Sequence, residues 1–251
     1  LVKTSACNYY GKDVTQADAE EFYNKMKKPD EAEPVMYGLN SRLVKENGKV
    51  VEKVWRSGGL YGKAIDKIIY WLEKAEPYAE NPQQAEVIKK LVEFYKTGDL
   101  KTFDDYSILW VKDTESRVDF TNGFTESYGD PLGMKASWES IVNFKDIAAT
   151  ERTKKLSANA QWFEDNSPVD GRFKKEKVKG ISAKVITAAI LGGDLYPSTA
   201  IGINLPNSNW VRKEYGSKSV TIGNITDAYN KAAHGNGFLN EYVIDKSTLD
   251  N

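Results

Sequence analysis

A single histidine, His234, and a single cysteine, Cys7, stand in this chain of 251 residues, and that scarcity narrows both its fold and its chemistry. One cysteine makes no intrachain disulfide and no all-cysteine metal site. One histidine cannot supply the two imidazoles, a helical turn apart, of an HExxH metal helix. The fold must therefore rest on buried apolar side chains, and a chain of this length can bury a real core as one large domain or two modest ones. A Ser–His–Asp triad stays arithmetically open, but no G-x-S-x-G elbow presents a serine, and a G-x-x-x-x-G-K-[ST] phosphate loop is absent. Read from its residues, the chain shows no complete catalytic apparatus.

The charges are balanced, 35 lysines and arginines against 36 acids, for a net charge of -1. Scattered charge of that kind reads as solvated surface and argues against a nucleic-acid partner. The longest apolar run, residues 185–191, falls far short of the roughly 20 residues that span a bilayer. A cytoplasmic location is expected, with a periplasmic one left open. The start at Leu1, without a signal-like segment, leads us to expect that something precedes it.

Along the chain, residues 1–12 are aromatic and irregular. Thr15 with Asp18 forms a capping-box pattern, which predicts a helix over 16–28 ended by Pro29. Strand-like runs at 37–43 and 50–55 flank Glu46–Asn47–Gly48 and predict a hairpin. Helices follow over 60–74, from Asn81–Pro82 to Gly98, and from a Thr102 cap to Lys112. Together these predict a helical layer over a sheet. Alternation marks strands over 117–128 and 136–144, around the Gly129–Asp130–Pro131 turn. A long polar helix is expected over 146–163, then a lysine-rich loop, a short apolar helix over 184–191, a strand over 200–205 and a helix over 225–233. The fold class is α+β. His234, at the end of that last helix, reads as a partner for its carbonyl end rather than a ligand or base. Cys7 reads as a small, partly buried side chain.

Two segments carry more information than their neighbours. One is Glu126–Ser127–Tyr128–Gly129–Asp130–Pro131–Leu132–Gly133; the other is Gly202–Ile203–Asn204–Leu205–Pro206–Asn207. On residue type alone, Glu126 and Tyr128 could be a surface acid and a half-buried ring sharing one strand face. Asn204 and Asn207, flanking a proline, could be plain turn residues.

In these segments the chain resembles the dipeptidyl peptidase III family, whose E-S-Y-x-D-P-x-G and G-I-N-x-P-N signatures occur here in order. The resemblance extends through Tyr37–Gly38–Leu39–Asn40–Ser41, Trp71–Leu72–Glu73–Lys74 and Gly223–Asn224, and looks nearest to bacterial, Bacteroides-like members. It implies the substrate-binding part of a zinc-dependent peptidase that releases dipeptides from peptide N-termini. Glu126, Asn204 and Asn207 match positions that hold the substrate's ammonium group, whose N–H donors suit carboxylate and amide oxygens. Tyr128 matches a hydroxyl that positions the substrate near the reacting carbonyl. Gly202, Ile203 and Asn204 lie on the strand expected to pair with an extended peptide. Asp130 and Pro131 are expected to shape the turn.

The family's zinc ligands, an HExxGH helix and a later glutamate, do not occur in the chain. The implied partners are oligopeptides with a free N-terminus and the zinc lobe of the same protein. The implied layout is a small β-barrel lobe with helices over 1–145, a helical excursion to the zinc lobe over 146–186, a return over 187–233, and the start of the zinc lobe over 234–251. On this expectation the chain alone is inactive. The alternative is a non-catalytic peptide-binding module or interaction domain.

Overall fold

A computed structural model describes residues 2–5, 7–178, 181–232 and 242, without the side chains of 181–183. His234 lies outside the described residues, as does the 234–251 segment apart from Tyr242. The first helix, α1 (Gln16–Asn24), opens on the expected capping box. The Thr15 amide donates to Asp18 Oδ2 at 2.7 Å, and the Asp18 amide to Thr15 Oγ1 at 3.2 Å. It ends earlier than Pro29 would require. The hairpin β1 (Ser41–Glu46) and β2 (Lys49–Val54) turns on Asn47 and Gly48, both at positive φ as a two-residue hairpin loop demands. Its first strand begins later than 37 because the chain turns at Gly38, where φ is 86° and an added Cβ would lie 2.8 Å from the Tyr23 ring.

Helices α2 (Gly62–Ala75), α3 (Pro82–Thr97) and α4 (Leu100–Lys112) form the helical layer. Asn81 caps α3 through the Gln84 amide at 2.9 Å, and Gly98 ends it at φ 72°. The cap of α4 is Asp99 rather than Thr102: both the amide and hydroxyl of Thr102 donate to Asp99 Oδ2, at 2.7 and 2.8 Å. A carboxylate one turn upstream takes both donors, leaving Thr102 inside the helix.

The sheet has the order β3 (Val118–Glu126), β4 (Ser137–Lys145), β5 (Ile181–Gly193), β7 (Ser217–Ile222), β6 (Gly202–Leu205). All neighbours are antiparallel except β5 and β7. The expected helix over 184–191 is thus a central strand. A short apolar run does not distinguish helix from strand by period. Here β-branched Thr187 and Ile190 pair with β4, Val185 with β7, and Ile186 with both. The helix expected over 146–163 divides at Asn159 into α5 (Ile147–Ala158) and α6 (Ala160–Asn166). A helix, α7 (Asn209–Tyr215), and β7 were not foreseen; α8 (Gly223–Ala232) was.

The larger core joins the four first helices, the hairpin and Phe124 of β3, with Tyr23, Leu43, Leu91, Phe94 and Tyr95 fully enclosed. A smaller one gathers Ile141, Ile186, Leu195 and Ile222 from β4, β5, β7 and the loop after β5. Among the described residues no backbone ladder joins the edge strands β3 and β6, so the ladders do not draw a closed barrel.

Candidate functional site

The ends of those two edge strands meet through one side chain. Asn207, just past β6, donates from Nδ2 to the Thr125 carbonyl at 3.0 Å and to Glu126 Oε2 at 3.1 Å. Two residues 81 apart in sequence are thereby joined. Both are half-buried, so each keeps a solvent-facing side. Beneath Asn207, a cavity of about 30 Å³ lined by Phe103, Asp104, Thr125 and Leu205 has room for a water.

Asn204 is exposed on β6, opposite Ser219 of β7. The Ile222 amide donates to the Ile201 carbonyl at 2.8 Å, which makes that pair a hydrogen-bonded one. Antiparallel alternation then turns the backbone of Ile203 and Leu205 toward β7, and that of Gly202 and Asn204 toward the open edge. Gly202 has a steric reason to be glycine, since a Cβ there would stand 2.9 Å from the Val220 carbonyl oxygen. Tyr128 lies in the turn after β3 and is 90% exposed. The structure therefore joins Glu126 to Asn207 directly, puts Gly202, Ile203 and Asn204 on the adjoining edge strand, and leaves the Tyr128 side chain in solvent.

Sequence reasoning missed Glu139. It sits on β4 at 3% exposure, accepting from the Thr125 hydroxyl. Burial, and next the negative charges of Glu126 and Asp194, push its carboxyl up to about 7, against the pull of the Thr125 hydrogen bond. A signal was present: Glu139, Ile141 and Asn143 share one strand face, and Ile141 points inward. Asp104, at the cavity, is likewise raised by burial to about 6; its Oδ2 accepts from Trp210 Nε1 at 3.2 Å.

The model of peptidase family M49 matches residues 37–247. The chain belongs to that family. Among M49 relatives, it is 33% identical to "Dipeptidyl peptidase 3" of Dictyostelium discoideum over 173 residues, 68% of this chain and 24% of that protein. It is 29% identical to "Dipeptidyl peptidase 3" of Homo sapiens over 167 residues, 66% of this chain and 22% of that one. The chain thus spans about a quarter of these relatives' length. Its fold is shared by a structure described as DPP III from Caldithrix abyssi (TM-score 0.73, 24% identity, 90% of this chain and 42% of that one). It is shared as well by dipeptidyl-peptidase III from Corallococcus sp. strain EGB (TM-score 0.74, 23% identity, 88% and 40%). The dipeptidyl peptidase III resemblance read in the two motifs is borne out.

Proposed function

We propose that this chain is the peptide-holding part of a zinc-dependent dipeptidyl peptidase. The observation that carries the proposal is the Glu126–Asn207 hydrogen bond at the end of an open edge strand. A free peptide N-terminus brings an ammonium with three N–H donors. Glu126 offers charge, and the side-chain carbonyls of Asn204 and Asn207 offer neutral acceptors. The outward backbone groups of Gly202 and Asn204 would pair with the extended peptide whatever its side chains, which fits a broad substrate range. Tyr128 would hold the peptide near the scissile carbonyl with its hydroxyl.

The residues here do not fit a zinc site. Among the described residues no group of three or more His, Cys, Asp or Glu side chains could hold a metal ion, and the sequence has one histidine. Zinc, which would supply water activation when bound, belongs on this reading to other parts of the longer protein. The region over 146–186 would lie against that part. Its apolar side chains support this: Leu156, Trp162, Phe163 and Phe173 are exposed, and nothing in α6 is buried. The chain alone would then bind peptides without cutting them.

Calorimetry tests the reading. A short peptide with a free amine should bind about tenfold more tightly than its N-acetylated twin, the difference of one charge-assisted contact. Glu126→Gln should remove most of that preference. Equal binding of both twins, or none of either, rejects the ammonium site.

A further inference from the structure

Tyr128 is 90% exposed, and among the described residues its hydroxyl has no hydrogen-bond partner to fix it. Its place in space is therefore set by the backbone of the turn that carries it. That backbone is wound on Asp130. The amides of Leu132, Met134 and Lys135 donate to the Asp130 carboxylate at 3.1, 2.9 and 2.8 Å, and the Gly133 amide to its carbonyl at 2.9 Å. Asp130 is buried, so its remaining oxygen capacity needs a protein donor.

Tyr10 is that donor. Its hydroxyl gives a hydrogen bond to Asp130 Oδ2 at 2.9 Å. The preceding residue, Tyr9, holds the other side: its hydroxyl oxygen lies 2.7 Å from Ser137 Oγ, and a Cβ on Gly129 would stand 3.5 Å from it. Both rings are buried. The segment that carries them is pinned along β1, with the Leu43 amide donating to the Tyr9 carbonyl at 2.9 Å and the Gly11 amide to the Leu43 carbonyl at 2.7 Å. The far end of the turn is fastened separately. Lys135 Nζ, wholly enclosed, donates to Ser41 Oγ at 3.0 Å, to the Gly38 carbonyl at 3.3 Å and to the Tyr23 hydroxyl.

We infer that Tyr9 and Tyr10 are positioning residues for Tyr128, a two-hydroxyl clamp supplied by a segment that lies ahead of the region matched by the family model, 37–247. The inference rests on the reading of Tyr128 as a substrate-positioning residue. The hydrogen bonds of the clamp come from the two hydroxyls, so Tyr9→Phe with Tyr10→Phe removes them and keeps both rings in the core.

In the full chain, that double variant should bind the free-amine peptide about fivefold more weakly than wild type, the size of a lost hydrogen bond. In a Tyr128→Phe background the same pair of changes should have less than about a twofold effect, because what the clamp positions is already gone. Hydrogen exchange of the Leu132, Met134 and Lys135 amides should quicken about tenfold in the double variant, with α3 unchanged. Unchanged exchange at the turn overturns the clamp. So does the full fivefold loss persisting in Tyr128→Phe, which a merely structural role would give. A wild type that prefers the free amine, beside a double variant that binds it equally well, sinks this inference alone. A wild type that holds both peptide twins alike sinks the function proposed above and this inference with it.

Discussion

Glu139 gives the sheet a dependence on acidity whose sign can be worked out. Its carboxyl ordinarily titrates near 4.5 and is raised to about 7 in the fold, chiefly by burial. Between those values the folded chain holds a proton that the unfolded chain has released. Stability must therefore fall as pH rises through that window, by up to about 3 kcal/mol from this group. Asp104, raised from 3.8 to about 6, adds the same sign over a lower range. Urea denaturation should show Glu139→Gln with a flatter profile than wild type between pH 5 and 7.5; an identical slope would refute the assignment. Lys218 is the opposite case, a cation with a side chain 0% exposed that is held by Asp119 Oδ2 at 2.8 Å and lies over the Trp110 ring. Asp119→Ala strands that charge and should cost about 3–5 kcal/mol, also read from denaturation. Lys218 was not legible in the sequence, and Glu139 was legible only through the strand face it shares with Ile141. Charged residues were read there as solvated, and only the pairing of β3 with β4, and of β7 with its neighbours, turns these positions inward.

At the scale of elements, what was legible was local. The Thr15–Asp18 box, the Asn81–Pro82 start, the Asn47–Gly48 loop and the Gly98 stop each depend on residues within one turn of each other, and each stands where the pattern put it. What failed was β5, whose partners β4 and β7 lie on either side of it in sequence and leave no mark on its own residues. The two signature motifs were legible because they are long, yet their meeting through Asn207 is a tertiary fact. Gly98 offers a sharp test of how firmly α3 is seated on the hairpin. At φ 72°, with an added Cβ only 2.6 Å from Val54 Cγ1, Gly98→Ala combines backbone strain with a clash. It should destabilise by about 2 kcal/mol or more. Asn81→Ala should cost about 1 kcal/mol through loss of the cap. Thermal or chemical denaturation distinguishes the two, and a neutral Gly98→Ala would mean that the hairpin yields.

For the molecule as a whole, the region proposed to face the zinc lobe carries the next prediction. Trp162 is 58% exposed, whereas Trp55, Trp110 and Trp210 are buried. Since the chain covers between 22% and 24% of the curated relatives just described, the proposed layout expects Trp162 to become covered in the longer protein. Acrylamide quenching, taken as the difference between wild type and Trp162→Phe, should be strong in this chain and weak in the longer one. Equal quenching in both would remove the support for the excursion over 146–186.

The Asn207 bridge has one more consequence. Its Nδ2 takes one oxygen of Glu126 and, at the same time, the Thr125 carbonyl. On the proposed reading, an arriving amine meets a carboxylate already steadied on one flank, with acceptor sites to spare for the newcomer. Filling the site then leaves the stitch between the two margins of the sheet in place. The seam acts as a jig for the guest, and the Thr125 thread would hold β6 to β3 even if the Glu126 thread gave way.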